Sequence, residues 1–226
     1  MTAPTIAVVI PTLDEEDAVG THLEEVVEVA DEVVVSDGGS VDRTRARAKK
    51  LGAQVVTGAA GRGVQLDRGA RHTGAEILVF LHADTRLPPN ALTEIRTAIQ
   101  SGAVGGGFLV VFDTDRWIRR LGARLVNLRT RWTRCPLGDQ AQFVTRDAFE
   151  ALGGFRSWPI LEDLDFIRRL KRHGRTALIE KPVTTSARRF EKRGTLRTIA
   201  TNWLIWLLYF LHVSPHRLAC LYRNVR

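Results

Sequence analysis

The chain has 226 residues and a mass of 25.2 kDa, 44% of it hydrophobic, which is enough to bury the core of one domain and excludes a disordered chain. Its net charge of +8 and pI near 10.3 point to anionic partners: nucleic acid, phosphorylated small molecules or acidic lipid. Two distant cysteines, Cys135 and Cys220, exclude a disulfide framework, and the apolar stretch 6–10 is too short for a signal peptide, so a cytoplasmic protein is expected.

The β-branched runs 5–10 and 32–36 read as strands, and between them 15–30 places Val19, Leu23, Val26 and Val27 at helical spacing. A basic helix over 43–51 ends at Gly52, and 53–57 gives a third strand. The Gly-rich turn 58–63 opens a helix through Arg71, leading to a strand over 76–81. Pro88-Pro89 starts the next helix, and 104–112 is a glycine-led strand. Strands alternating with helices predict a mostly parallel sheet with helices on both faces.

Beyond this the pattern loosens. Residues 117–132 read as a basic amphipathic helix, 140–144 as a strand, and 153–155 as a tight turn. A helix opens at Glu162-Asp163 and stops at His173-Gly174, residues 177–179 form a last strand, and 188–193 is a basic stretch. The most apolar segment, 196–213, follows, and no repeat or low-complexity linker divides the chain. One domain over 1–190 with a helical extension over 191–226 is expected.

Acidic residues mark the strand ends. Asp84 lies just past a buried apolar strand, where open α/β sheets bind ligands, and Asp37 with its two glycines closes the second strand. Glu162 and Asp163 set adjacent carboxylates at a helix start. One acidic site suits the holding of a cation and the other the taking of a proton. Each alone also has a plainer reading, as an acid favoured by a helix dipole or as a turn.

In order, these segments resemble the family 2 glycosyltransferases over roughly residues 5–190. Pro11-Thr12-Leu13-Asp14-Glu15 is similar to the family's Pro-Thr-x-Asn-Glu, and Asp37 to Thr44 to its Asp-Asp-Gly-Ser-x-Asp-x-Thr. His82-Ala83-Asp84 is similar to its Asp-x-Asp, and Glu162-Asp163 to its Glu-Asp pair. Leu81 to Thr85, Gly138-Asp139-Gln140 and Arg188-Arg189-Phe190 further resemble small bacterial members named for arsenosugar biosynthesis.

The resemblance implies a nucleotide-diphospho-sugar transferase fold of the GT-A type and an inverting transfer to an acceptor hydroxyl. It assigns Pro11, Leu13, Glu15 and Asp37 to the base and ribose of the donor, with Arg62 and Gln65 reaching base or phosphate. Asp84 would bind Mg²⁺ or Mn²⁺ against the diphosphate, with Arg188 and Arg189 as its clamp. Asp163 would act as general base, and Glu162, Gly138, Asp139 and Gln140 would orient the acceptor. His82 replaces the first acid of Asp-x-Asp, and its softer imidazole favours ribose contact or packing over metal ligation. Gly38 stands where the second acid of the usual pair is expected. No Gln-x-x-Arg-Trp follows Glu162-Asp163, which argues against a processive synthase.

The apolar run 203–211 is shorter than the roughly 20 residues that cross a bilayer. Flanked by Arg197, His216, Arg217, Arg223 and Arg226, it reads either as a helix lying on the inner membrane face, which would suit a lipid acceptor, or as a buried or homodimer contact. Rival classes fit less well. Nucleic-acid binding is not expected, because the arginines are scattered without a stacking platform. A Rossmann oxidoreductase lacks its third glycine after Gly61-x-Gly63, and a nucleotidyltransferase of similar fold lacks a Gly-rich, Arg-containing loop after the first strand. A non-catalytic anionic-membrane module would tolerate neutralisation of both Asp84 and Asp163.

Overall fold

The computed structural model describes residues 3–187 and 195–224. Along the chain run β1 (Ile6–Thr12), α1 (Glu16–Val27), β2 (Glu32–Asp37), α2 (Thr44–Lys50), β3 (Gln54–Thr57), α3 (Arg62–Arg71), β4 (Ile77–Phe80) and β5 (Thr85–Arg86). Then come α4 (Ala91–Gln100), β6 (Gly105–Asp113), α5 (Trp117–Thr133), a 3-10 turn (Gly138–Gln140), β7 (Gln142–Thr145), α6 (Arg146–Ala151) and α7 (Glu162–His173). β8 (Thr176–Ser186), α8 (Thr195–Phe210) and α9 (Pro215–Asn224) complete the described chain.

β1 is the axis of the core. Its pleat sends Ile6, Val8 and Ile10 into one apolar layer with α1, α2 and α4, and Ala7 and Val9 into the other with α3, α6 and α7. A strand buried on both faces belongs to a sheet sandwiched by helices, which is the α/β class expected.

Eight strands run in the order β3-β2-β1-β4-β7-β6-β8-β5. β7 and β5 are antiparallel to their neighbours, and every other pairing is parallel. The carboxyl ends of β1, β2, β4, β6 and β8 therefore share one rim, and the start of β7 joins them, since Gln142 pairs with Phe80. Residues 81–84 link β4 to β5 at the far edge of the sheet. Five residue steps reach at most roughly 18 Å, whereas four strand spacings in a flat sheet need roughly 19 Å. The segment also turns, with the Thr85 amide donating to the His82 carbonyl at 3.1 Å, so the sheet has to curl to let it cross the rim.

Three elements depart from expectation. β8 has 11 residues where only 177–179 read as a strand, because Glu180-Lys181-Pro182 looks like a break. It is a bulge: Ile179 pairs with Phe108, Pro182 with the next residue Leu109, and 180–181 are looped out. β5 has two residues, too few for any periodicity, and α6 follows β7 without a loop. The apolar segment forms α8 and the turn after it, α9 follows beyond its end, and among the described residues no helix is long and apolar enough to cross a membrane. Cys135 is buried, Cys220 is exposed, and neither forms a disulfide.

α7 carries Glu162 and Asp163 to the rim. Its buried residues Leu164, Phe166, Ile167 and Leu170 lie on one face, and Phe166 packs with Phe80, Phe149 and Phe155 in an aromatic cluster under β4. Arg169 fastens the preceding loop, donating to the carbonyls of Leu152 and Gly154 at 2.8 Å each. Gly63 lets α3 close on this loop: a Cβ there would lie 2.5 Å from the Arg156 carbonyl oxygen and 3.2 Å from Glu162 Cγ.

Candidate active site

The loops after β1 and β2 are knitted together. Asp37, wholly buried, accepts from the amides of Gly39 and Ser40 at 2.9 Å, and from the hydroxyls of Ser40 and Thr12. Burial pushes its carboxyl up, and these donors outweigh burial and hold it below the ordinary carboxylate value. Ser40 Oγ also accepts from the Asp14 amide at 2.9 Å, Asp14 accepts from the Val41 amide at 2.8 Å, and Thr44 Oγ1 accepts from the Glu15 amide at 2.9 Å. The result is a firm floor on which Leu13 is exposed while Pro11 and Glu15 are half-buried. Gln65 is spent on this floor: its Nε2 donates to the carbonyls of Thr12 at 2.7 Å and Ser36 at 2.9 Å, and its Oε1 accepts from the Gly61 amide.

Next to the floor, one oxygen of Asp163 is the meeting point of three segments. Asp163 Oδ2 accepts from the Gly138 amide at 2.8 Å and lies 3.4 Å from Arg62 Nη2, while Oδ1 accepts from the Leu164 amide. Arg62 Nε forms an ion pair with Glu162 Oε1. A Cβ at Gly138 would sit 3.0 Å from His82 Nε2 and 3.1 Å from Asp163 Oδ2, so imidazole and carboxylate both close on that glycine. α7 starts from Leu161 in the left-handed region, φ 63°, a strained conformation for a branched side chain that costs about 1–3 kcal/mol and clusters at functional sites.

The two neighbouring acids are driven apart in proton affinity. For Asp163, burial pushes the carboxyl up, but Arg62, the Gly138 and Leu164 amides and His82 outweigh it and leave the group below its ordinary value. For Glu162, burial comes first, and with repulsion from Asp163 it prevails over Arg62, leaving the group above its ordinary value. Burial draws the Arg62 guanidinium down, yet Glu162 and Asp163 hold it firmly protonated. Asp163 is thus the lasting carboxylate of the pair.

Asp84 stands two residues past His82, and its carbonyl accepts from the Ser186 amide at 3.2 Å. With Asp17, Asp113 and Ser186 it lines an open cleft at the rim. Among the described residues no three His, Cys, Asp or Glu lie together so as to hold a metal alone. A hard divalent cation that uses one or two carboxylates and takes its remaining oxygens from phosphate and water needs no such cluster, and Asp84 facing an open cleft fits that donor set.

Arg62, His82, Gly138, Glu162 and Asp163 are therefore brought together, with Asp84 two residues along the same crossing segment. Gln140 is buried in the 3-10 turn as a staple: its Oε1 accepts from Thr130 Oγ1 at 3.0 Å and from the Leu137 amide, and its Nε2 donates to the Phe108 carbonyl at 2.8 Å. Asp139 is half-buried between Gly138 and Gln140. Arg188 and Arg189 lie outside the described residues. Sequence reading passed over Asp113 and Ser186, the last residues of β6 and β8, because it ended both strands early; Phe112-Asp113-Thr114-Asp115 carried a strand-end signal.

The family described as Glycosyl transferase family 2 matches residues 7–157. Among curated proteins, the undecaprenyl-phosphate 4-deoxy-4-formamido-L-arabinose transferase of Edwardsiella ictaluri is 28% identical over 136 residues, which cover 54% of this chain and 42% of that protein. The glucosyl-3-phosphoglycerate synthase of Mycolicibacterium paratuberculosis is 36% identical over 93 residues, 35% of this chain and 28% of that protein. The chain spans less than half the length of these relatives. Among solved structures, glucosyl-3-phosphoglycerate synthase of Mycobacterium tuberculosis in complex with Mn²⁺, UDP-glucose and phosphoglyceric acid is 25% identical, with a TM-score of 0.56 over 80% of this chain and 71% of that one. The mannosyltransferase of Pyrobaculum calidifontis in complex with GDP-Man and Mn²⁺ shares the fold at 19% identity, with a TM-score of 0.61 over 91% and 63% of the two chains. With the family match extending over most of the α/β domain, the chain belongs to glycosyl transferase family 2.

Proposed function

We propose that this protein transfers a sugar from a nucleoside-diphosphate donor to an acceptor hydroxyl with inversion at the anomeric carbon. The observation that carries the reading is Asp163, a buried carboxylate kept ionised at the rim by Arg62 and the Gly138 amide, facing His82 across the glycine of the 3-10 turn. Family membership and relatives solved with UDP-glucose or GDP-Man and Mn²⁺ support the donor class.

In this reading the nucleoside rests on the floor formed by Pro11, Leu13, Glu15 and Asp37, with His82 toward the ribose. Asp84 would hold Mg²⁺ or Mn²⁺, and Arg188 and Arg189 would clamp the diphosphate. When bound, the cation would supply positive charge to offset the negative charge of a departing diphosphate. The acceptor oxygen forms its bond to the anomeric carbon as the bond to the diphosphate breaks, and its proton passes to Asp163. That carboxylate has about four acceptor positions and spends three on Arg62, Gly138 and Leu164, which leaves one for the acceptor hydroxyl. Glu162 holds Arg62 in place, and Asp139 and the 3-10 turn orient the acceptor.

Thermal unfolding with UDP-, GDP- and dTDP-sugars, with and without Mn²⁺, tests the donor class, because a ligand that binds only the native state raises its melting temperature. One donor should stabilise the protein in a Mn²⁺-dependent manner, and the sugar released from it should show the inverted anomer by NMR. Failure of every donor to shift the transition would remove the reading.

A further inference from the structure

Ten of the fifteen large apolar side chains exposed among the described residues lie on α5, on α8 or directly after it. On α5, Trp117, Leu121, Leu125, Leu128 and Trp132 recur at steps of four, four, three and four residues, one unbroken stripe directed away from the buried Gly122, Ala123 and Thr130. On α8, Ile205 is buried while Trp203, Leu204, Leu207 and Phe210 face outward. The two helices are neighbours, with the Arg129 guanidinium 5.0 Å from the centre of the Trp206 ring.

The charge carried by these two helices is of one sign. Residues 116–138 hold seven arginines and no acid, and residues 195–226 also lack Asp and Glu. By helical spacing Arg120, Arg124 and Arg131 run along one flank of the α5 stripe, and all three are exposed. Arg120 and Arg131 pair with Asp115 and Glu180, but those pairs are themselves exposed and weak. An antiparallel two-fold contact between copies along α5 would set this arginine flank against itself. An anionic bilayer accepts both components, tryptophan and leucine at the acyl boundary and arginine at the headgroups.

The same helices brace the catalytic rim. Thr130 and Arg129 of α5 bond Gln140 of the 3-10 turn, and Arg168 of α7 lies against the rings of Tyr209 and Phe210 of α8. We infer that α5 and α8 form a docking face for an anionic lipid surface, which seats the acceptor side of the rim at the bilayer. This face is separate from the donor chemistry and is tested without it.

The test is flotation of the full chain with vesicles of phosphatidylcholine alone and with about a third phosphatidylglycerol, repeated with acyl chains brominated to quench tryptophan. The expected result is binding to the anionic vesicles at least roughly tenfold above the neutral ones, with quenching. Leu128→Glu combined with Leu207→Glu, at exposed positions, should lose that binding at an unchanged melting temperature. Three results would overturn the inference: no binding to anionic vesicles; binding without quenching that the double variant retains, which is adsorption by net charge; or self-association in sedimentation that the double variant abolishes, which makes a second copy the occupant.

Discussion

The Gly138 amide donates to Asp163 Oδ2 at 2.8 Å, joining the turn before β7 to the first turn of α7 across 25 residues of sequence. That bond fixes the carboxylate near His82, and the two groups crowd the position that a Cβ on the glycine would take. In the proposed reaction this neighbour is what positions the acid to act as the base.

Adding a methyl group at Gly138 should push the carboxylate and the imidazole out of place. The Cβ of Gly138→Ala would press on His82 Nε2 and Asp163 Oδ2 at 3.0 and 3.1 Å, both side-chain atoms able to yield slightly. The expected outcome is a rise in acceptor KM with a fall in kcat of roughly tenfold or more, at near-normal donor binding. Steady-state kinetics with each substrate varied in turn checks it.

The pH profile separates the two acids. Asp163 titrates below its ordinary value of 3.8, so a rate that depends on its ionised form declines only as the pH falls through that lowered value. Glu162 titrates above 4.5. An acid limb in kcat below pH 3.8 identifies Asp163 as the base, and one above 4.5 transfers the role to Glu162. Stability has the same sign for Asp163: its contribution is present above pH 3.8 and is lost below, so the melting temperatures of wild type and Asp163→Asn should converge at low pH.

Gly63→Leu should destabilise through overpacking. A backbone oxygen, Arg156 O, stands 2.5 Å from the would-be Cβ and cannot move aside as a flexible side chain would. A loss of about 1–3 kcal/mol is expected in urea unfolding. Because Arg62 adjoins this contact, activity should fall further than stability alone explains.

The parallel half of the fold was legible because its signals are local: β-branched runs spaced by helical periods, each ended by a Gly or Asp turn. The strand ends then fall on one rim by topology, which is why motifs spread over some 150 residues of sequence gather there. The curl was not legible, since it depends on a two-residue strand and on a bulge at Glu180-Lys181 that reads as a break. The use of the amides was hidden too. Gln65 and Gln140 look like ligand-facing polar residues, and only tertiary contacts show their bonds to the Thr12, Ser36 and Phe108 carbonyls. The stripe on α5 was visible as amphipathic spacing, but which of its faces meets the core is decided by packing.

Neutralising the two acids separately tests the central claim most directly. Donor binding by calorimetry with Mn²⁺, and single-turnover transfer, are measured for Asp163→Asn and Asp84→Asn. Asp163→Asn should bind donor as the wild type does and transfer about 10² to 10⁴ times more slowly, while Asp84→Asn should lose the Mn²⁺-dependent part of donor binding. Wild-type transfer by Asp163→Asn, or undiminished Mn²⁺-dependent binding by Asp84→Asn, would contradict the account.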